Sequence, residues 1–206
     1  MRMTSASTKG ANTREAILAR AYALACVNGL EGLTIGAVAT QVGMSKSGVF
    51  AHFGSREDLQ LATLDLGGEL FIQDVLVPAL KQERGLARLR AIFANWAEWV
   101  RHEEDGGCLF LAAATEYDDR PGAIRDCLLR QECAWREQLA QAVRQAVATG
   151  ELDADTEPEQ FAFEMYALAL VIHHDAGLTG YDPAVARGVR AFERLIRSYQ
   201  SSPSPR

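Results

Sequence analysis

From Thr34 to Phe53 the chain reads TIGAVATQVGMSKSGVFAHF, two helix-length pieces that each begin at a hydroxyl side chain and meet at one glycine. Few folds accommodate that pattern. A Ser or Thr ahead of an apolar-periodic segment accepts the amide hydrogen bonds that a helix start leaves open, so Thr34 and Ser45 are read as N-caps. Gly43 allows the positive φ that a sharp turn between packed helices needs. Ile35, Val38, Ala39 and Val42 are spaced to face inward from the first piece, and Val49, Phe50 and Phe53 from the second. The outer side of the second piece keeps Ser45, Lys46, Ser47, Gly48 and Ala51, all small apart from one cation. Small side chains let a helix lie close to base edges, and its N-terminal residues make the contacts. A groove-reading helix-turn-helix is the expectation.

The flanking sequence predicts helix almost throughout. Ala, Leu, Arg, Glu and Gln dominate, and no run alternates apolar and polar residues as a half-buried strand does. A first helix is expected from an Asn12 or Thr13 cap to Gly29. Ser55, with Asp58 three residues on, opens a long helix toward Pro78. Further helices are predicted over about 82–104, stopped by Gly106–Gly107, then Cys108–Tyr117, and Pro121 to about Ala148. Two more follow, over 157–176 and from an Asp182 cap with Pro183 behind it. The fold class is therefore all-α with about nine helices: an N-terminal three-helix DNA-binding head and a larger helical body for ligand binding and dimerisation. The expected divisions are a flexible arm over 1–10, the head over 11–60, the body over 61–200 and a disordered tail over 201–206.

Charge is distributed unevenly along the 206 residues. The net charge is −6, but residues 1–56 carry six basic and two acidic side chains, whereas 57–206 carry fifteen basic and twenty-five acidic. A cationic head on an acidic body suits a chain that meets a polyanion at one end only. No apolar run approaches the roughly 20 residues of a membrane span, and the start lacks the apolar core of a secretory signal, so no membrane partner and a cytoplasmic location are expected. The four cysteines form no C-x-x-C pair. Cys26 is read as core, and Cys108, Cys127 and Cys133 as inert thiols, with a redox switch the less favoured alternative.

The run LTIGAVATQVGMSKSGVFAHFGSREDL resembles the DNA-binding head of the TetR (tetracycline-repressor) family of bacterial regulators. The match rests on Thr34-Ile35, Val38-Ala39, Gly43-Met44-Ser45-Lys46, Phe50, His52-Phe53 and Glu57-Asp58-Leu59, and covers about residues 11–60. The resemblance implies base contacts from Ser45, Lys46, Ser47 and Gly48, and phosphate contacts from Thr34, His52 and Arg56. Phe50 belongs to the same DNA-facing set, but stands where the family often carries a tyrosine whose hydroxyl touches a phosphate; this ring is left only to pack. Ala51 replaces a frequent second aromatic.

A single short helix reads too few base pairs, so two copies are needed. Recognition helices about 34–36 Å apart fit successive major grooves of a near-palindromic operator. Phe161, Leu168 and Val171 in one late helix, with Val189, Phe192 and Ile196 in the next, are the candidate homodimer residues. Phe93, Trp96, Phe110, Tyr117, Trp135, Tyr166 and His173 are candidate lining for a small apolar or amphipathic organic effector. The long helix from Ser55 is the candidate lever between effector and head. Together these readings describe a ligand-responsive regulator, a repressor by the resemblance, that binds double-stranded operator DNA as a homodimer and is released by effector. No cofactor or metal is expected and no enzymatic activity: adjacent His173 and His174 lie about 100° apart on a helix and share no face. The alternatives are a helical interaction module, or a metal-dependent enzyme, with a non-functional head.

Overall fold

The computed structural model describes residues 5–102 and 107–200, and every regular element among them is helical. The order is α1 (Ser5–Gly32), α2 (Ile35–Val42), α3 (Lys46–Phe53) and α4 (Arg56–Phe71). A π-helical stretch, Ile72–Leu76, and the short α5 (Val77–Ala79) continue α4 without a break. Then come α6 (Leu86–His102), α7 (Leu109–Tyr117), α8 (Ala123–Ala148), α9 (Pro158–Thr179) and α10 (Tyr181–Ser198). With the Arg56–Ala79 rod counted once, the described residues form nine helices. None is long and apolar enough to cross a membrane.

Two helix starts differ from the sequence reading. α1 begins at Ser5, so residues 5–10 of the expected arm are helical, while 1–4 and the expected tail 201–206 lie outside the described residues. Asn12 and Thr13 favour a cap but do not forbid a helix from running through them. At the other end, Gly180 (φ 97°) separates α9 from α10, and α10 opens at Tyr181. Asp182 and Pro183 therefore sit inside its first turn, where proline's missing N–H costs nothing. Gly29, with φ 73° and ψ 168°, breaks α1 where expected, and a last turn runs on to Gly32.

The chain divides into two compact units, residues 1–69 with 105–129 and residues 70–104 with 130–206. This moves the boundary expected near residue 60. α7 and the start of α8 belong with the head, because Leu109, Ala113, Tyr117, Ile124 and Cys127 complete a core with Ile17, Leu30, Leu59 and Leu64. The other unit is built around Leu89, Ile92, Phe93, Leu139, Phe161, Met165, Phe192 and Ile196. Within it α9 and α10 approach so closely at Gly188 that a Cβ there would overlap Ile172.

Candidate nucleic-acid interface

The turn of the head is fixed by short-range hydrogen bonds. Thr34 Oγ1 accepts the Ala37 amide at 3.1 Å and Ser45 Oγ accepts the Gly48 amide at 3.1 Å, satisfying donors at the starts of α2 and α3. Gly43 takes the left-handed conformation at φ 65° and closes α2. α3 is then held from beneath by Val49 and Phe53, both buried, with the Arg14 guanidinium 5.0 Å from the Phe53 ring centre.

Ser45, Lys46, Ser47, Phe50 and Ala51 are exposed on α3. Ser45 and Ser47 hydroxyls lie 3.1 Å apart. A Cβ at Gly36 would lie 3.0 Å from Lys46 Cε, so the absence of a side chain there leaves room for the lysine stem. Gly48 is half-buried, with Met44 Cε 3.2 Å from where its Cβ would stand. Thr34 is exposed and His52 is half-buried, its ring tilted against Phe53 at 6.5 Å. Phe50, expected to pack inward, is instead 53% exposed, because Val49 and Phe53 already occupy the inner face and the next position falls about 100° away from it.

Arg56, implied as a phosphate contact, points back into the head. Its Nε donates to Leu33 O at 2.9 Å, and its Nη2 to Glu31 O and to Glu31 Oε2, the latter at 2.7 Å. Arg120 Nη1 meets the other Glu31 oxygen at 2.7 Å. The bonded Arg56 guanidinium holds the Glu31 carboxyl below its usual pKa. From α7, Glu116 Oε2 accepts the amides of Leu30 and Glu31, while the buried Gln60 of α4 donates to Leu30 O at 2.6 Å. Burial raises the Tyr117 phenol pKa. Glu116 and Gln60 were not visible as positioning residues in the sequence, since Glu116 lies 86 positions from Leu30.

The seven effector candidates do not gather in one cluster. Phe110 and Tyr117 pack in the head core. In the other unit Trp96 meets Phe71, Trp135 and Tyr166 edge-on at 5.3–5.7 Å. Among the described residues Trp135 Nε1 is buried without a hydrogen-bond partner. Phe93 stacks on Phe192 at 4.1 Å, and His173 is half-buried. A groove of about 490 Å³ lies along α8 and α9, lined by Cys133, Arg136, Glu137, Glu159 and Phe163 among others, and by none of the seven.

The dimer candidates divide in two. Phe161, Phe192 and Ile196 are buried within the subunit, which removes them from any surface, because one helix face cannot cover its own core and a partner together. Val171 on α9 and Val189 on α10 are exposed, as are Phe163 and Leu178 of α9, and Leu168 is half-buried. Of the cysteines, Cys127 is buried and Cys133 exposed, and Cys26, expected in the core, is half-buried, as is Cys108. Among the described residues no group of three or more His, Cys, Asp or Glu side chains is placed to hold a metal ion.

An all-helical chain whose capped, glycine-hinged helix pair presents a small, cationic outer face has the build of a helix-turn-helix regulator. Residues 17–63 match the family of bacterial regulatory proteins named for tetR, and residues 85–192 match the tetracyclin repressor-like C-terminal domain. The chain belongs to the TetR family, a family of transcriptional regulators rather than enzymes. It is 31% identical over 127 residues to the transcriptional regulator AcuR of Cereibacter sphaeroides, a match covering 57% of this chain and 54% of that one. The chain thus spans about half the length of this curated relative. A TetR transcriptional regulator from Chloroflexus aurantiacus is 25% identical with a TM-score of 0.81, covering 94% of this chain and 98% of the other. AibR, solved with isovaleryl coenzyme A and operator DNA, is 23% identical with a TM-score of 0.69, covering 86% and 96%.

Proposed function

We propose that this chain is a ligand-responsive repressor that binds a near-palindromic operator as a homodimer and is released by a small apolar or amphipathic effector. The observation that carries the reading is the outer face of α3: a serine-capped helix start, an exposed Lys46 and small neighbours, on a buried Val49–Phe53 base. Ser45, Lys46, Ser47, Gly48 and Phe50 would face the groove, with Thr34 and His52 at the phosphates. Arg56 and Glu116 would act through the backbone they hold. Exposed Val171 and Val189, with Phe163 and half-buried Leu168, would meet a second copy. The effector reading rests on the Trp96–Trp135–Tyr166 cluster, an apolar setting with one unanswered N–H donor, and on AibR, which was solved with an acyl coenzyme A. The Arg56–Ala79 rod is the lever, and its π-helical stretch is where helical register can change. A coupling of about 1–3 kcal/mol would shift operator affinity roughly 5–150-fold. A protein of this kind works in the cytoplasm.

The decisive measurement is fluorescence anisotropy on duplexes selected by the protein from a random library, repeated at several salt concentrations. Affinity should fall steeply as salt rises. Lys46→Glu should abolish binding while size-exclusion still gives a dimer. Retained binding in that variant removes α3 from the interface.

A further inference from the structure

Phe50 is the one large apolar side chain exposed on α2 or α3 among the described residues. The head core closes without it, on Val38, Val49, Phe53 and Leu59. It stands four positions after Lys46, so ring and ammonium share the outer face of the helix, with Ser47 and Ala51 on the adjacent strip. A capped helix start and an exposed lysine one turn before the ring favour an anionic partner, and so nucleic acid over an apolar protein surface. A phenyl ring neither donates nor accepts a hydrogen bond. Among the base edges of the major groove one group offers it a match, the C5-methyl of thymine.

We propose that Phe50 reads a thymine methyl group, fixing a T in each operator half-site; this rests on the reading of α3 as the groove-entering helix. Lys46 and the caps set affinity and register, while the ring makes one base position discriminating through contact alone. The small Ala51 beside it leaves the ring room to approach the methyl.

The experiment uses the full-length protein and a duplex it has enriched from a random library. Each thymine is replaced in turn by 2′-deoxyuridine, which removes the methyl and leaves every hydrogen-bonding group in place. Wild type is expected to lose about fourfold in affinity per half-site at one symmetry-related position, the effect of one buried methyl group. Phe50→Ala should bind more weakly and be indifferent to uridine there, whereas Phe50→Leu, which keeps an apolar tip, should retain part of the preference. Because the ring is exposed, both variants should keep wild-type helicity. Unchanged wild-type affinity for every uridine duplex, with Lys46→Glu still unable to bind, overturns the methyl contact and leaves α3 in the groove. Equal uridine sensitivity in wild type and Phe50→Ala also overturns it. Failure to enrich any duplex overturns the DNA reading and this inference together.

Discussion

Glu116 of α7 holds Leu30 of the α1–α2 junction: its Oε2 accepts the Leu30 amide at 2.9 Å and the Glu31 amide at 3.0 Å. Gly29, at φ 73°, turns the chain just ahead of these amides, and a Cβ there would overlap the Glu116 carboxylate. One carboxylate thus serves two donors freed by the break in α1. Charge-assisted bonds of this kind are worth about 1.5–3 kcal/mol each when a partly buried donor is otherwise left open. Glu116→Ala should lower the stability of the head unit by about 2 kcal/mol in denaturant unfolding. Glu116→Gln keeps an acceptor oxygen and should recover more than half of that. Equal loss in both variants would show that the amides are not what the side chain serves.

Acid should loosen the same junction through Glu31. Its carboxyl is held below the usual value of 4.5, chiefly by the hydrogen bond from Arg56. A depressed folded-state pKa gives stability that is complete above the unfolded value and is lost as pH falls through the folded one. The pair is substantially exposed, so screening limits it to about 1 kcal/mol at most. Glu31→Gln should therefore be slightly less stable than wild type at pH 7, with the gap closing below pH 4. A gap that stays constant between pH 7 and pH 3 would contradict the assignment.

What the sequence revealed was local. Thr34, Gly43, Ser45 and the Ser55–Asp58 pair act within four residues, and each forms the cap or turn expected of it. What it hid was long-range pairing. Nothing near Glu116 marks it as a cap for an amide 86 positions away, and nothing near Arg56 says that Glu31 and Leu33 will take its donors. Tyr117 and Phe110 looked like body aromatics because they follow the long helices, yet Leu109 and Ala113 share their helix face and draw them into the head core. Phe50 misled for a different reason: aromatic character suggests burial, but two neighbours at the right spacing already filled the inner face.

Close packing of α9 on α10 depends on Gly188. Its ideal Cβ position is taken by Ile172, which is itself buried, so Gly188→Ala forces the helices apart or moves a core side chain. Overpacking of that kind costs about 1–3 kcal/mol. The loss should be partly reversed by Ile172→Val, which clears space on the facing helix. Additive losses in the double variant, measured by urea unfolding, would place the damage elsewhere.

Val171 and Phe192 were grouped by the sequence as partners in one interface, but the structure gives them opposite fates. Phe192 is buried and stacks on Phe93 at 4.1 Å, whereas Val171 is 57% exposed. Truncation of Phe192 to Ala leaves a cavity in the subunit core and should cost about 3–5 kcal/mol, visible as a fall in Tm of the monomeric unit. Val171→Asp removes no internal contact of that size. It should leave the helical content unchanged, yet a carboxylate on a self-complementary surface meets its own copy across the two-fold axis. Sedimentation velocity should therefore find Val171→Asp shifted to the monomer while still folded. Operator affinity should fall with it, because each half-site is then bound alone. A Val171→Asp protein that remains a tight dimer would move the interface off this face of α9, and leave the exposed apolar side chains there to some other contact.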